Sequence, residues 1–203
     1  MQVVCLDLEG VLVPEIWIEF ARKTGIDALN KTTRDIADYN ELMQYRLQIL
    51  EKHNLGLGDI QAVIAQMSPM EGASDFLGSL RETFQVIILS DTFYEFAAPL
   101  MRQLNWPTLF CHRLEVTDSG KVKGYRLRQS DPKKQSVMAL KGLNYRVFAA
   151  GDSYNDTSML QAADAGFLFR APDRVKAEFP QFQSTDDYSE LRSFFDKASD
   201  SAL

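Results

Sequence analysis

"VVCLDLEGVLVPE", residues 3–15, begins as the kind of apolar run that fills the middle of a sheet and then turns to carboxylates. Side chains alternate along a strand, so Asp7 and Glu9 can point one way while Leu8 points back into the core. Two like charges at that spacing are costly unless a metal, a shared proton or solvent relieves them. Gly10 follows directly and would let backbone approach a ligand closely. The stretch predicts a buried strand that ends in a site.

Four further apolar runs read as buried strands: 84–91, 108–113, 145–152 and 165–169, joining a first strand at 2–8. Helical patterns alternate with them, which predicts an α/β fold with a doubly wound parallel sheet. The helix in 71–84 places Ala73, Phe76, Leu77, Leu80 and Phe84 on one face. Two more run along 92–104 and 132–143. Residues 114–128 read as a β-hairpin with "DSGK" (118–121) as its turn. The stretch from Glu9 to the second strand far exceeds a minimal crossover. It reads as three helices, in 14–25, 32–54 and 57–67. The expected division is a core of 1–14 and 69–203 with a small helical cap, 15–68, inserted after the first strand. The final 196–203 is expected to fray.

The chain has 203 residues, 45% of them hydrophobic, and a net charge of −6. Its composition is that of an ordinary globular protein. An acidic chain lacks the basic footprint of a nucleic-acid binder. To hold an anion it needs a metal or local Lys and Arg. Cys5 and Cys111 lie in apolar runs and read as reduced core residues. No run approaches the roughly 20 apolar residues of a membrane span, and no charged lead precedes the first apolar stretch. A soluble, cytoplasmic protein without a membrane partner is expected.

In an open parallel sheet, ligands bind at the carboxyl ends of the strands. Asp7 and Glu9 close the first strand, Ser90 and Asp91 the second, and Asp152 falls in "GDSYND" (151–156) at the end of the fourth. Asn155 or Asp156 could N-cap the next helix, but a cap uses one side chain and this segment carries two acids and an amide. Mg2+ prefers hard oxygen ligands and would relieve repulsion between Asp7 and Asp152. "TFYE" (92–95) has capping-box spacing, so Asp91 or Thr92 is expected to start a helix, leaving Ser90 free for an anion.

Lys133 falls in the first turn of a helix, after Asp131 as N-cap and Pro132 at the first position. The helix dipole disfavours a cation there; a bound phosphate would reverse that. Lys134 competes for the role. In the insert, Ile36, Tyr39, Met43 and Leu50 form a stripe that carries Arg46. Its guanidinium either snorkels to water or turns toward a carboxylate in a pocket below. Glu15 suits the first turn of its helix and is equally open to a ligand. His53 and His112 lack ligand-like spacing and are assigned no role. No P-loop or Gly-x-Gly-x-x-Gly occurs.

Taken in order, "DLEGVLV" (7–13), "ILSD" (88–91), "PKK" (132–134) and "GDSYND" resemble the four motifs of the haloacid-dehalogenase superfamily of phosphatases. The resemblance covers nearly the whole chain, including an insert after the first motif. "YRLQIL" (45–50) and "SPMEGASDFL" (68–77) are similar to the phosphoserine phosphatases, and most closely to the bifunctional kind that are also homoserine phosphotransferases.

The resemblance implies a Rossmann-like core under a helical cap, with Asp7 as nucleophile and Glu9 as general acid and base. It implies Mg2+ on the Asp7 and Asp152 side chains and the Glu9 carbonyl, supported by Asp156. Ser90 and Lys133 would bind phosphoryl oxygens, and Asp91 would be a further substrate-binding residue beside them. Glu15 would take the substrate's ammonium, Arg46 its carboxylate, and Asn155 would line the site. Phosphoserine is the implied substrate and homoserine a second acceptor, within serine or threonine biosynthesis. A homodimer is compatible with this. Two departures stand out: Glu9 replaces the usual second Asp of the first motif, and Ser90-Asp91-Thr92 stands where Ser-Gly-Gly is common. Both put water as sole acceptor in doubt. The alternatives are another small phosphorylated metabolite, or a phospho-aspartyl signalling domain similar to response-regulator receivers.

Overall fold

The structure, a computed structural model, describes residues 1–201 apart from 33, 34 and 37. Among these, β1 (Gln2–Leu6), β2 (Gln85–Phe93), β3 (Thr108–Val116), β4 (Val122–Arg126), β5 (Arg146–Gly151), β6 (Ala165–Phe169) and β7 (Gln183–Thr185) form one sheet. Their order is β4-β3-β2-β1-β5-β6-β7. The pairs are parallel except β3 with β4. The doubly wound reading therefore stands.

The central strand explains the two-layer core. Val4 and Leu6 of β1 join the apolar cluster on one face, and Val3 and Cys5 join the other. This is the period of two expressed on both faces, and it requires the unbroken apolar run of a buried parallel strand. Helices α4 (Ala73–Arg81) and α9 (Tyr188–Asp200) cover the first face through Phe76, Leu80, Leu191 and Phe195. Helices α6 (Pro132–Gly142) and α7 (Thr157–Ala162) cover the second through Val137, Met159 and Leu160. After β3 and β4 the chain crosses to the other side of β1, so strand order reverses between β1 and β5. Asp7 and Asp152 leave the sheet at that switch point, the place where open α/β sheets bind their ligands.

Between β1 and β2 lie α1 (Ile16–Thr24), α2 (Tyr39–Lys52) and α3 (Leu57–Ile64). They lean on α5 (Tyr94–Gln103) and on the β3–β4 hairpin. Gln61 Nε2 donates to the Glu95 carbonyl at 2.8 Å, and Leu57 N to that of Gly120 at 2.9 Å. Lys121 pairs with Glu51 at 2.8 Å.

Several local expectations are corrected. The second insert helix starts at Tyr39, capped by Asp38, not at Thr32. Ile36 therefore lies off the helix and off the Arg46 stripe; residues 33, 34 and 37 of that expected helix lie outside the described ones. The first strand ends at Leu6, although the Asp7 amide still donates to the Ala150 carbonyl at 3.0 Å. β2 runs on to Phe93 through a register shift, so neither Asp91 nor Thr92 starts a helix; α5 begins at Tyr94. The expected 108–113 strand and the first arm of the hairpin are one strand, β3. The expected frayed end is helical through Asp200, with Phe195 buried. β7 and α8 (Asp173–Glu178) are short and were not read from sequence; α9 was missed although its 13 residues carry a clear amphipathic pattern with Leu191 and Phe195 on the buried face.

Candidate active site

Asp7, 4% exposed, is fixed at the switch point, just past β1. Its Oδ1 accepts from the Leu8 amide at 2.7 Å and lies 3.0 Å from Lys133 Nζ. Burial raises its pKa well above the usual carboxylate value, helped by Asp156 and opposed by Lys133. An anionic nucleophile here needs positive charge beside it.

Lys133 supplies part of that charge. Its ammonium lies 2.7 Å from Asp156 Oδ1 and 3.5 Å from Asp91 Oδ2 as well. Burial opposes its charge, but the surrounding carboxylates outweigh that and raise its pKa. Lys134 is exposed, which separates the two candidates. Asp131 is in the left-handed region at φ 44 and caps nothing by side chain; its Oδ1 accepts from Ser158 Oγ at 2.8 Å instead. Nor does Asp156 cap α7. Its Oδ2 accepts from the amides of Asp152 and Ser153 at 3.0 and 3.1 Å, while Oδ1 takes Lys133.

Glu9 holds the helical insert to the site. Its Oε2 accepts from the Ile16 amide at 2.8 Å, so it satisfies an orphan donor at the start of α1. Burial, then Glu15, pushes the Glu9 carboxyl up to about 8. Glu15 itself is exposed.

Arg46 does not snorkel. Its head is buried, with the guanidinium stacked 4.6 Å over Trp17. Nη2 donates to the Lys31 carbonyl at 2.9 Å, and Nε has no partner among the described residues. Burial lowers its pKa to about 10, with Glu9 the foremost group opposing.

Ser90 is buried, and its Oγ accepts from the Thr92 amide at 3.2 Å. Asp91 gathers more contacts than sequence suggested. Asn155 Nδ2 donates to its Oδ2 at 3.0 Å, Tyr39 of α2 donates to its carbonyl at 3.0 Å, and His112 Nε2 lies 3.5 Å from Oδ1. Its pKa is low: burial works against the charge, yet Lys133, then His112 and Asn155, prevail. His112 was assigned no role from sequence. The available signal was a histidine inside the apolar run "TLFCHR", since a buried polar group must find a partner.

Asp7, Asp152 and Asp156 bring carboxylate oxygens within 4.8 Å of one another. Asp156 is saturated by its amides and Lys133. The Asp152 carboxylate takes no hydrogen bond from another described side chain, and burial, then Asp156, pushes it up to about 7. Gly10, at φ +78, leaves room beside it: a Cβ there would lie 2.5 Å from Asp152 Cγ. A hard-oxygen donor set with uncompensated charge fits a small divalent cation.

The haloacid dehalogenase-like hydrolase family matches residues 1–164. The chain belongs to that family. It is 64% identical over its full length, and 99% of the relative's, to a protein of Pseudomonas aeruginosa named phosphoserine phosphatase ThrH. It is 62% identical to a phosphoserine phosphatase of Pseudomonas syringae pv. tomato, covering all of this chain and 86% of that one. A solved phosphoserine phosphatase, described as a phospho-aspartyl intermediate analogue, superposes with a TM-score of 0.77 at 20% identity, covering 95% and 98% of the two chains. As a haloacid dehalogenase-like hydrolase, the chain sets its acidic motifs where this fold opens. None of its described helices is long and apolar enough to cross a membrane.

Proposed function

We propose that this hydrolase is a Mg2+-dependent phosphatase of phosphoserine that works through an aspartyl-phosphate on Asp7, with transfer to homoserine as a second outcome. The observation that carries the reading is Asp7 beside Lys133 at the switch point, with Asp152 close to it. The full-length likeness to proteins named phosphoserine phosphatase supports the substrate. Helices over the site favour an enclosed reaction over a signalling domain open to partners.

Mg2+ would be held by Asp7, Asp152 and the Glu9 carbonyl, and would supply positive charge to the phosphoryl oxygens. Lys133 neutralises a further oxygen and Ser90 donates to one. Asp7 attacks phosphorus in line, the bond to the serine oxygen breaks, and Glu9 passes its proton to that oxygen. A carboxyl that keeps its proton up to about 8 can act as that acid at neutral pH. Glu9, now ionised, takes a proton from the acceptor as it attacks the phosphorylated Asp7. Water yields phosphate; a homoserine hydroxyl yields the transferred ester. Arg46, whose buried Nε has no partner among the described residues, takes the substrate carboxylate, Glu15 the ammonium, and Asn155 lines the site. Asp156 keeps Lys133 in place, and residues 15–68 act as a cap. In this reading the enzyme works in the cytoplasm in serine or threonine biosynthesis, and a homodimer is compatible with it.

The test is phosphate release, with Mg2+, from a panel of phosphorylated amino acids and sugar phosphates, repeated with homoserine. Phosphoserine is expected to lead the panel, and homoserine to divert phosphate into a new ester. Asp7→Asn is expected to abolish turnover and leave the thermal midpoint in place. A sugar phosphate at the head of the panel would overturn the substrate assignment, and a working Asp7→Asn the nucleophile.

A further inference from the structure

We infer that His112 is a positioning residue: it holds the Asp91 carboxylate in place beside Lys133, so that this charge stays off the position a phosphoryl group would take. The inference rests on the phosphomonoester reading above. His112 sits on β3 opposite Phe93, just past the register shift that lets β2 bend over the site. It is 3% exposed, and its ring centroid lies 6.2 Å from that of Phe93 and 6.4 Å from that of Tyr39. The Arg128 amide donates to Nδ1 at 3.2 Å. A nitrogen that accepts carries no proton, so the neutral ring carries its proton on Nε2, the atom that faces Asp91 Oδ1 at 3.5 Å.

The chain of contacts closes on itself. Arg128 Nη2 donates to Ser136 Oγ at 2.8 Å, and its guanidinium stacks 4.8 Å over Phe110. Ser136 lies one turn beyond Lys133 on α6. Helix α6 therefore reaches Asp91 twice, directly through Lys133 and indirectly through Ser136, Arg128 and His112. The two oxygens of Asp91 are divided between these arms: Oδ1 faces His112, and Oδ2 meets Asn155 and Lys133.

This matters because Asp91 is a liability in the proposed reaction. Its side chain is 30% exposed and can rotate unless anchored. Asp91 Oδ2 already stands 3.5 Å from the Lys133 ammonium; released from His112 and turned further in, the carboxylate would take the place of a phosphoryl oxygen on that ammonium and repel the group's charge. His112, buried and locked in one tautomer, prevents that turn.

The experiment is a double-mutant cycle with His112→Phe, Asp91→Asn and the pair, plus His112→Gln, which keeps a donor near the Nε2 position. Each is titrated calorimetrically with inorganic phosphate in the presence of Mg2+, and assayed on phosphoserine and para-nitrophenyl phosphate. His112→Phe is expected to weaken phosphate binding and raise KM about 10-fold, the scale of a hydrogen bond to a charged group, with kcat less affected. His112→Gln is expected to recover most of that. With Asp91→Asn in place, His112→Phe is expected to add less than about 2-fold, because no charge remains to be held. An equal cost in both backgrounds would overturn the proposal, as would no recovery in His112→Gln. Nitrogen-15 NMR of the imidazole gives a readout free of turnover: the Nε2–H signal is expected to shift in Asp91→Asn, and an unmoved signal would also overturn it. A wild type that neither binds phosphate nor turns over either ester, while its Nε2–H signal still moves on Asp91→Asn, would reject the phosphatase reading and leave the Asp91 contact supported.

Discussion

Lys133 Nζ lies 3.0 Å from Asp7 Oδ1, and neither residue is more than 4% exposed. The pair is part of a larger imbalance, since Asp91, Asp152 and Asp156 surround the same point. The ammonium is what keeps these acids together, and its removal leaves buried charge without compensation.

Lys133→Met should therefore unfold more easily. Breaking one side of a buried ion pair costs about 3–5 kcal/mol. Denaturant unfolding at pH 7 should show a loss of that size. The loss should shrink as pH is lowered, because burial raises the Asp7 pKa and its carboxyl can take a proton instead. Turnover should fall about 100-fold or more, the scale of a lost charge-stabilising donor. Unchanged stability at pH 7 would mean the cluster does not depend on this cation.

Asp152 sets a pH dependence in the metal-free protein. Its pKa of about 7 exceeds the ordinary 3.8, so between those values the folded chain holds a proton that the unfolded chain has released. The stability from this group is fully present at low pH and is lost as pH rises toward 7, by at most about 1.4 kcal/mol per unit. With chelator present, the thermal midpoint should drop between pH 5 and 7.5, and Asp152→Asn should flatten the drop. Mg2+ should restore the midpoint at pH 7.5 and release protons on binding, measurable by calorimetry in two buffers. Parallel profiles for wild type and Asp152→Asn would remove Asp152 as the source.

Arg46 sets specificity and stability against each other. Its burial without a full set of partners is unfavourable, so Arg46→Met should leave the thermal midpoint unchanged or raised. The same variant should raise KM for phosphoserine about 10-fold or more. Phosphoethanolamine, which lacks the carboxylate, should change much less. Equal KM effects on both esters would show that Arg46 does not read a carboxylate.

Gly10 tests the divalent-cation site by sterics. Gly10→Ala imposes a left-handed backbone on a residue that resists it and puts a methyl against the Asp152 carboxylate. The conformational strain alone is about 1 kcal/mol. Mg2+ affinity should fall about 10-fold or more with the displaced ligand. An unchanged affinity in a Mg2+ titration would show that Asp152 does not bind the ion in this position.

Much of this protein is written locally. The unbroken apolar run of residues 3–6 dictates a central strand buried on both faces, and the helical spacing of Phe76, Leu77 and Leu80 dictates a buried face on α4, because burial selects the pattern of each element. The acids at strand ends follow from the same patterns, since charge at the edge of a buried strand must go to the site. Tertiary structure decided what these patterns cannot carry. Capping signals at Asp91, Thr92 and Asp156 were overridden once those groups had better uses: a bent strand β2 for the first two, and backbone amides with Lys133 for the last. The inward turn of Arg46 depends on Trp17 lying beneath it, and the meeting of His112 with Asp91 on β3 lying next to β2. Hydrophobic period specifies which way a side chain faces, but its partner is fixed by strand order and register, which come into being only when distant segments pack together.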